Sequence, residues 1–269
     1  MTTESAHPER LCVFVPCTNE RDSVRPAVEE VLRHADRIAL PVEVMMIDNG
    51  SSDGTRGVME TLCQEDVRCT MVVHEETRGL GHCITDAHNT LDEDTWVTVF
   101  PSGSEFVFGE SIDSLLAVRK GNDVVLGYLY NSVVRRLDRR IVSTAFKKLA
   151  KTIYGLRWHS LNGMKLYRAR AFQGIDVVAG GHAYVAELLA KAQLRRPELR
   201  VAEAPFISRG KLPGNQRDIG MGSILRALGE TYRGAQDVSH YRDEMLSRYR
   251  DDDDRGAAAE SFFPPPTRD

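Results

Sequence analysis

Short apolar runs alternate with helically spaced apolar positions along the first half of the chain. Leu11 to Val15 is a short apolar run ended by Pro16, and Val24 to His34 carries apolar groups at helical spacing. Val42 to Ile47 is a second run that breaks at Asp48-Asn49-Gly50, followed by a predicted helix from Gly54 to Cys63. Cys69 to His74 reads as a third strand, Gly81 to Leu91 as a third helix, and Trp96 to Phe100 as a fourth strand. This alternation predicts an α/β fold with a largely parallel sheet, whose strand carboxyl ends are the default ligand site. The second half is less regular. Strands are predicted at Asp123–Gly127, Gly163–Tyr167 and Leu199–Ala204, and helices at Arg140–Tyr154, His182–Leu194 and Met221–Tyr249.

Composition narrows the class. With 269 residues and 42% hydrophobic content the chain can bury a substantial core, which excludes global disorder. The charge is −4, and residues 251–269 alone carry two basic and six acidic groups, so the body is neutral. That argues against a globally basic nucleic-acid binder. No apolar run reaches membrane-spanning length and the first ten residues are polar, so a soluble, cytoplasmic protein is expected. Five cysteines without a Cys-x-x-Cys spacing read as buried thiols. The organisation expected is a disordered N-terminus (1–10), a main domain (11–220), a helical extension (221–250) and a disordered tail (251–269).

The segment Ile47-Asp48-Asn49-Gly50-Ser51-Ser52-Asp53-Gly54-Thr55 ends a strand in a polar, Gly-containing turn that opens a helix. Such a turn can present a carboxylate to base or ribose donors; a plain strand–helix turn with Asp53 as N-cap is the alternative. Together with Val15-Pro16-Cys17-Thr18-Asn19-Glu20 and Arg78-Gly79-Leu80-Gly81, in this order, it resembles family 2 glycosyltransferases, nearest the dolichol- and polyprenyl-phosphate mannosyltransferase branch. Weaker similarity continues through Asn122–Gly127, Leu161-Asn162-Gly163-Met164-Lys165 and Glu203-Ala204-Pro205-Phe206, so it covers roughly residues 11–215.

The resemblance implies an A-type glycosyltransferase fold, with a Rossmann-like sheet divided into a nucleotide-binding half (11–105) and an acceptor-binding half (106–220). It also implies a nucleotide-diphosphate sugar donor and transfer with inversion. Pro16, Asn19 and Glu20 would line the nucleoside pocket, with Glu20 on the ribose. Asp48 would accept from the base, on a turn that Gly50 allows, and Asn49 replaces a second Asp. Gly79 and Gly81 would let the backbone approach the nucleotide, with Ser102 also in the donor site.

The largest departure follows the fourth strand. Pro101 and Gly103 in Phe100-Pro101-Ser102-Gly103-Ser104-Glu105 stand where the family carries Asp-x-Asp, leaving Glu105 as the metal candidate. One carboxylate is a poor site for a hard cation, so Mg2+ or Mn2+ is expected to be weakly held or not needed. Cations then have to meet the leaving diphosphate. Arg209, Lys211 and Arg217 lie where the family has a mobile active-site loop. Nine Lys/Arg against two Asp between Arg119 and Lys151 form a basic segment that reads either as a solvated helix face or as a contact to membrane or lipid phosphate. Glu187 is the candidate base, on a helix face apolar enough to raise its pKa; an exposed helix glutamate is the alternative. His159 would orient an acceptor or pack on Trp158. The acceptor expected is a small molecule, a peptide or a polyprenyl phosphate. Rival readings are a catalytically silent nucleotide-sugar binder and a sugar-1-phosphate nucleotidyltransferase, whose N-terminal Gly-rich loop is missing here.

Overall fold

The computed structural model describes residues 8–103, 106–130, 144, 148–158, 161, 163–181, 183–209 and 221–251. Seven strands form one sheet: β1 (Leu11–Cys17), β2 (Val42–Asn49), β3 (Cys69–His74), β4 (Trp96–Val99), β5 (Val124–Leu129), β6 (Lys165–Arg168) and β7 (Val201–Phe206). Their order is β3-β2-β1-β4-β6-β5-β7. All neighbours are parallel except β6, which runs antiparallel between β4 and β5. Every residue of β1 is buried, as a central strand covered on both faces requires.

Strand alternation divides the core. Leu11, Val13 and Val15 face α1 (Arg21–Ala35), α2 (Thr55–Glu65) and α4 (Phe108–Ala117). Cys12 and Phe14 face α3 (Leu80–His88), a helical stretch described over 148–154 (α5), the short α6 (Ala169–Phe172) and α7 (Tyr184–Arg195). In α1 the buried Val24, Ala27, Val28, Val31 and Ala35 recur at helical spacing and form its sheet-facing stripe. Removing any such fully buried valine from water stabilises the fold by about 1.5–3 kcal/mol. α7 is buried from Tyr184 to Gln193 because α8 (Met221–Asp251) covers its outer side.

Two departures from expectation have local causes. Glu9 and Arg10, expected within a disordered N-terminus, are anchored at the amino edge of the sheet. Arg10 bonds Thr95, Glu43 and Asp92, and Glu9 pairs with Arg168. α4, unforeseen in the sequence, buries Phe108, Ser111, Ile112, Leu115 and Leu116. No described helix is long and apolar enough to cross a membrane. The cysteine expectation holds: Cys12, Cys17, Cys69 and Cys83 are buried free thiols, and Cys63 is partly buried.

Candidate active site

β1 sits between β2 and β4, so the chain leaves it in opposite directions and a crevice opens at the carboxyl ends of β1 and β4, the switch point of an open α/β sheet. The loops after β1, β2 and β3 form one rim of this crevice. Asn19 adopts φ +54°, a left-handed conformation that Asn tolerates better than most residues. Its Oδ1 accepts the Ser52 N–H at 2.8 Å, and its own N–H donates to Ser51 Oγ at 3.0 Å. The Glu20 N–H donates to Thr55 Oγ1 and the Arg21 N–H to Asp53. Asp53 also accepts the Thr55 N–H at the start of α2, and the Thr55 hydroxyl bond holds its carboxyl below the ordinary range. It therefore serves the helix start from the residue before the N-cap, which is Gly54 and not the Asp53 of the plain-turn alternative, while also tying β1's loop to β2's.

Asp48 is wholly enclosed. One oxygen accepts the Ser51 N–H at 3.0 Å and the other accepts Arg56 Nε at 3.1 Å. As placed, this carboxylate shapes the turn and holds Arg56. Asn49, also buried, binds three segments. Its amide donates to Thr18 Oγ1 at 3.2 Å, and its Oδ1 accepts the Arg78 N–H at 2.8 Å and the Cys83 thiol at 3.1 Å. An amide serves these partners through a donor and an acceptor, which explains how Asn fits in place of a carboxylate.

The glycines divide by what approaches them. Gly50 has φ +69°, and a Cβ there would stand 2.6 Å from the Thr77 backbone N, so the β3–α3 loop fills its place. At Gly79 (φ +90°) a Cβ would meet Gly180 Cα at 3.0 Å, and at Gly81 it would meet Ala179 O at 2.5 Å and Tyr184 Cβ at 2.8 Å. Gly50 thus takes the tight turn expected of it, and at Gly79 and Gly81 the chain that approaches is the protein's own. Pro16 is likewise buried inside β1 instead of lining an open pocket. Backbone bonds show that even-numbered residues of β1 face β4, and Pro16 lies beyond the end of that ladder, where its missing N–H leaves no gap.

After β4, Ser102 Oγ is buried beside the Cys17 thiol, which burial pushes up to about 12. A Cβ at Gly103 would lie 3.1 and 3.2 Å from the two Glu20 carboxylate oxygens. Glu20 therefore turns toward the place of a missing aspartate, across the switch point. Glu105 lies outside the described residues, and no group of three His, Cys, Asp or Glu side chains suited to a metal occurs among those described. Among the described residues, the single carboxylate beside Gly103 does not fit the several oxygens that Mg2+ or Mn2+ takes.

The acceptor-side candidates fare differently. Glu187 is buried: its carboxylate accepts the Val178 N–H at 2.7 Å and the Ala179 N–H at 2.9 Å and pairs with Lys191 at 3.2 Å. Lys191 in turn bonds the Asp176 carbonyl at 2.7 Å and pairs with Asp237 of α8. Burial pushes the Glu187 carboxyl up, against the two N–H groups and Lys191 that pull it down. The exposed alternative is not met, because this carboxylate is buried; the upward shift expected from burial is present, and its partners as placed are two backbone amides and Lys191.

Arg209 pairs with Glu30 of α1. Glu30 lies about 15 Å along that helix from Glu20 at 1.5 Å per residue, so Arg209 is not over the crevice as placed. Lys211, Arg217, His159 and Asn162 lie outside the described residues. The basic segment does not begin as one surface: Arg119 pairs with Glu9 at the amino edge of the sheet, whereas Lys148 and Lys151 are on α5. Two residues at the site were not foreseen. Arg56 secures Asp48 and also reaches Glu75 at 3.4 Å, and Lys165 places its Nζ 5.8 Å from the centre of the Tyr184 ring. Lys165 ends the family-like segment Leu161-Asn162-Gly163-Met164-Lys165, which assigned it no role.

Comparison with known proteins agrees with this geometry. Residues 12–176 match the model of glycosyl transferase family 2. The polyprenol monophosphomannose synthase of Mycolicibacterium smegmatis is 26% identical over 179 residues, 64% of this chain and 66% of that protein's length. Glucosyl-3-phosphoglycerate synthase from Mycobacterium tuberculosis, in complex with Mn2+, UDP and phosphoglyceric acid, is similar with a TM-score of 0.61 at 16% identity, covering 84% of this chain and 78% of that one. Its complex with Mn2+, UDP-glucose and phosphoglyceric acid gives a TM-score of 0.60 at 14% identity, covering 84% and 80%. These two likenesses show the A-type fold. The family match spans more than half of the chain, which therefore belongs to family 2 of the glycosyltransferases and is an enzyme of that class.

Proposed function

We propose that this enzyme transfers a sugar, with inversion, from a nucleoside-diphosphate sugar to a phosphate oxygen of an acceptor of the polyprenyl-phosphate class, with weak or no need for a divalent cation. The donor would lie on the rim of the 11–105 half and the acceptor against the 106–220 half. The observation that carries the acceptor class is the enclosure of Glu187, whose carboxylate is fully engaged by Val178, Ala179 and Lys191. An ionised phosphate monoester is its own nucleophile and needs no base. Its oxygen attacks the anomeric carbon from the face opposite the donor diphosphate and a new C–O bond forms. The bond from that carbon to the diphosphate oxygen breaks, and its electron pair leaves with the nucleoside diphosphate. Positioning and charge stabilisation are then the protein's contribution. The name of the mycobacterial relative, a polyprenol monophosphomannose synthase, supports the same class. Buried free cysteines are in keeping with a cytoplasmic setting.

The test is transfer by the full chain from UDP-, GDP-, CDP- and dTDP-sugars to farnesyl phosphate, with farnesol as the hydroxyl control and product read by mass spectrometry. A glycosyl phosphate product that persists in chelator is expected. Transfer to the hydroxyl alone would overturn the acceptor class, and tight dependence on micromolar Mg2+ or Mn2+ would overturn the metal reading. Donor binding without any turnover would favour the silent binder.

A further inference from the structure

Because β6 runs against its neighbours, its first residue lies at the carboxyl edge of β4 and β5. Leu166 is opposite Thr98, and Lys165 is opposite Leu126, one step further toward the crevice. Continuing the β4 register puts Val99 across from Lys165 and Pro101 roughly 7 Å beyond at about 3.3 Å per residue. Lys165 shares its face with Tyr167, which packs in the α3–α7 layer. Its Nζ stands 5.8 Å from the centre of the Tyr184 ring, and a Cβ at Gly81 would lie 2.8 Å from the Tyr184 Cβ. Lys165 thus stands at the crevice end of β6, with Tyr184 linking it to the turn that holds Gly81.

Among the described residues, Arg56 pairs with Asp48 and Glu75 and Arg78 with Asp86, and further off Lys191 pairs with Glu187 and Asp237 and Arg209 with Glu30. Lys165 has an aromatic face and no carboxylate among the described residues. It is hemmed in by protein yet retains partial solvent contact, the combination found inside a concave surface. Desolvation pushes its ammonium down to about 8, with no charged neighbour contributing. Keeping a cation there without a partner is costly unless a bound anion offsets it.

We propose that Lys165 is a substrate-binding residue of the transfer site and takes a phosphate oxygen on the crevice side of Tyr184. This rests on the reading of that edge as the place of glycosyl transfer. Lysine is suited to the task as a point charge, and it would supply there part of the positive charge that a carboxylate-held cation would otherwise bring. Two substrate groups have the right chemistry, the diphosphate of the donor and the phosphate of the acceptor.

The experiment acetylates the full chain at pH 8 and follows Lys165 by peptide mass spectrometry, with the exposed Lys120 and, in the pyrophosphate arm, Lys148 as surface references. One arm contains pyrophosphate and the other farnesyl phosphate, each at concentrations up to millimolar. We expect at least one to slow labelling of Lys165 fivefold or more while the references are unchanged. Protection by pyrophosphate identifies the donor diphosphate, and protection by farnesyl phosphate the acceptor. Lys165→Met should then weaken the protecting ligand by roughly 10- to 150-fold, the loss of one charge-assisted contact, and Lys165→Arg should restore most of it. Unchanged labelling in both arms overturns the proposal, and because that measurement uses the wild-type chain it stands whether or not the variants fold. Sugar transfer with Lys165 unprotected removes this proposal alone; protection without transfer to phosphate removes the acceptor reading alone.

Discussion

Asp48 fixes the turn after β2 through the Ser51 N–H and gives Arg56 its buried anion. Asp48→Asn retains the shape and removes the charge, so it should cost about 1.5–3 kcal/mol of stability, with weaker nucleotide binding as the turn loosens. Denaturant unfolding and calorimetry check this; wild-type stability and affinity in the variant would show that the Arg56 pair contributes nothing. His88 is the second residue with a measurable signature. It is buried against Tyr167 and Phe172, and burial lowers its pKa from 6.5 to about 4. The unfolded chain then binds the extra proton first as pH falls, so stability should drop between about pH 6.5 and 4, by about 3 kcal/mol. Unfolding at pH 7.5 and 4.5 should show a smaller drop in His88→Phe, and equal drops in both proteins would refute the assignment. Asp48, Asn49 and Asn19 were legible as a rim because their motif is local. The enclosure of Glu187 was not, since its partners are the Val178 and Ala179 amides and Lys191, the last itself held by a helix 46 residues further on.

At the scale of elements, periodicity located every strand to within a few residues because the strands are buried runs bounded by turns. It did not announce α4, although Phe108, Ile112, Leu115 and Leu116 have helical spacing. The missing signal is the start: Val107 offers no capping side chain, and the Phe108 N–H is bonded at 2.9 Å by Glu30 of α1. The reversal of β6 was also silent, since strand direction is set by connections and not by apolar content. Two glycines in successive helices, on opposite faces of the sheet, should behave oppositely. A Cβ at Gly57, on the exposed side of α2, meets nothing within 4 Å, so Gly57→Ala should stabilise by about 0.5–1 kcal/mol. Gly81→Ala drives its Cβ into a backbone carbonyl and should destabilise by about 1–3 kcal/mol. Paired thermal melts decide it, and a shift of the same sign in both would contradict the packing described.

Across the whole molecule, the crevice is held from behind by charge. Asp237 of α8 holds Lys191, Lys191 holds Glu187, and Glu187 holds the amides of the 178–179 turn, whose next residues touch Gly79 and Gly81. Lys191→Met should cost about 3 kcal/mol or more, because Glu187 stays buried without its counter-ion. Adding Glu187→Gln should return part of that loss, and strictly additive losses in the double variant would argue against a coupled network. The family match stops at residue 176, inside this structural unit, since β7 pairs with β5 and α8 covers α7 only after that point. Chimeras between relatives joined at that boundary would graft foreign carbonyls and helices onto a glycine turn that leaves no room for error. Exchange between relatives should therefore succeed only as a set, with α3, residues 177–181, α7 and α8 moving together.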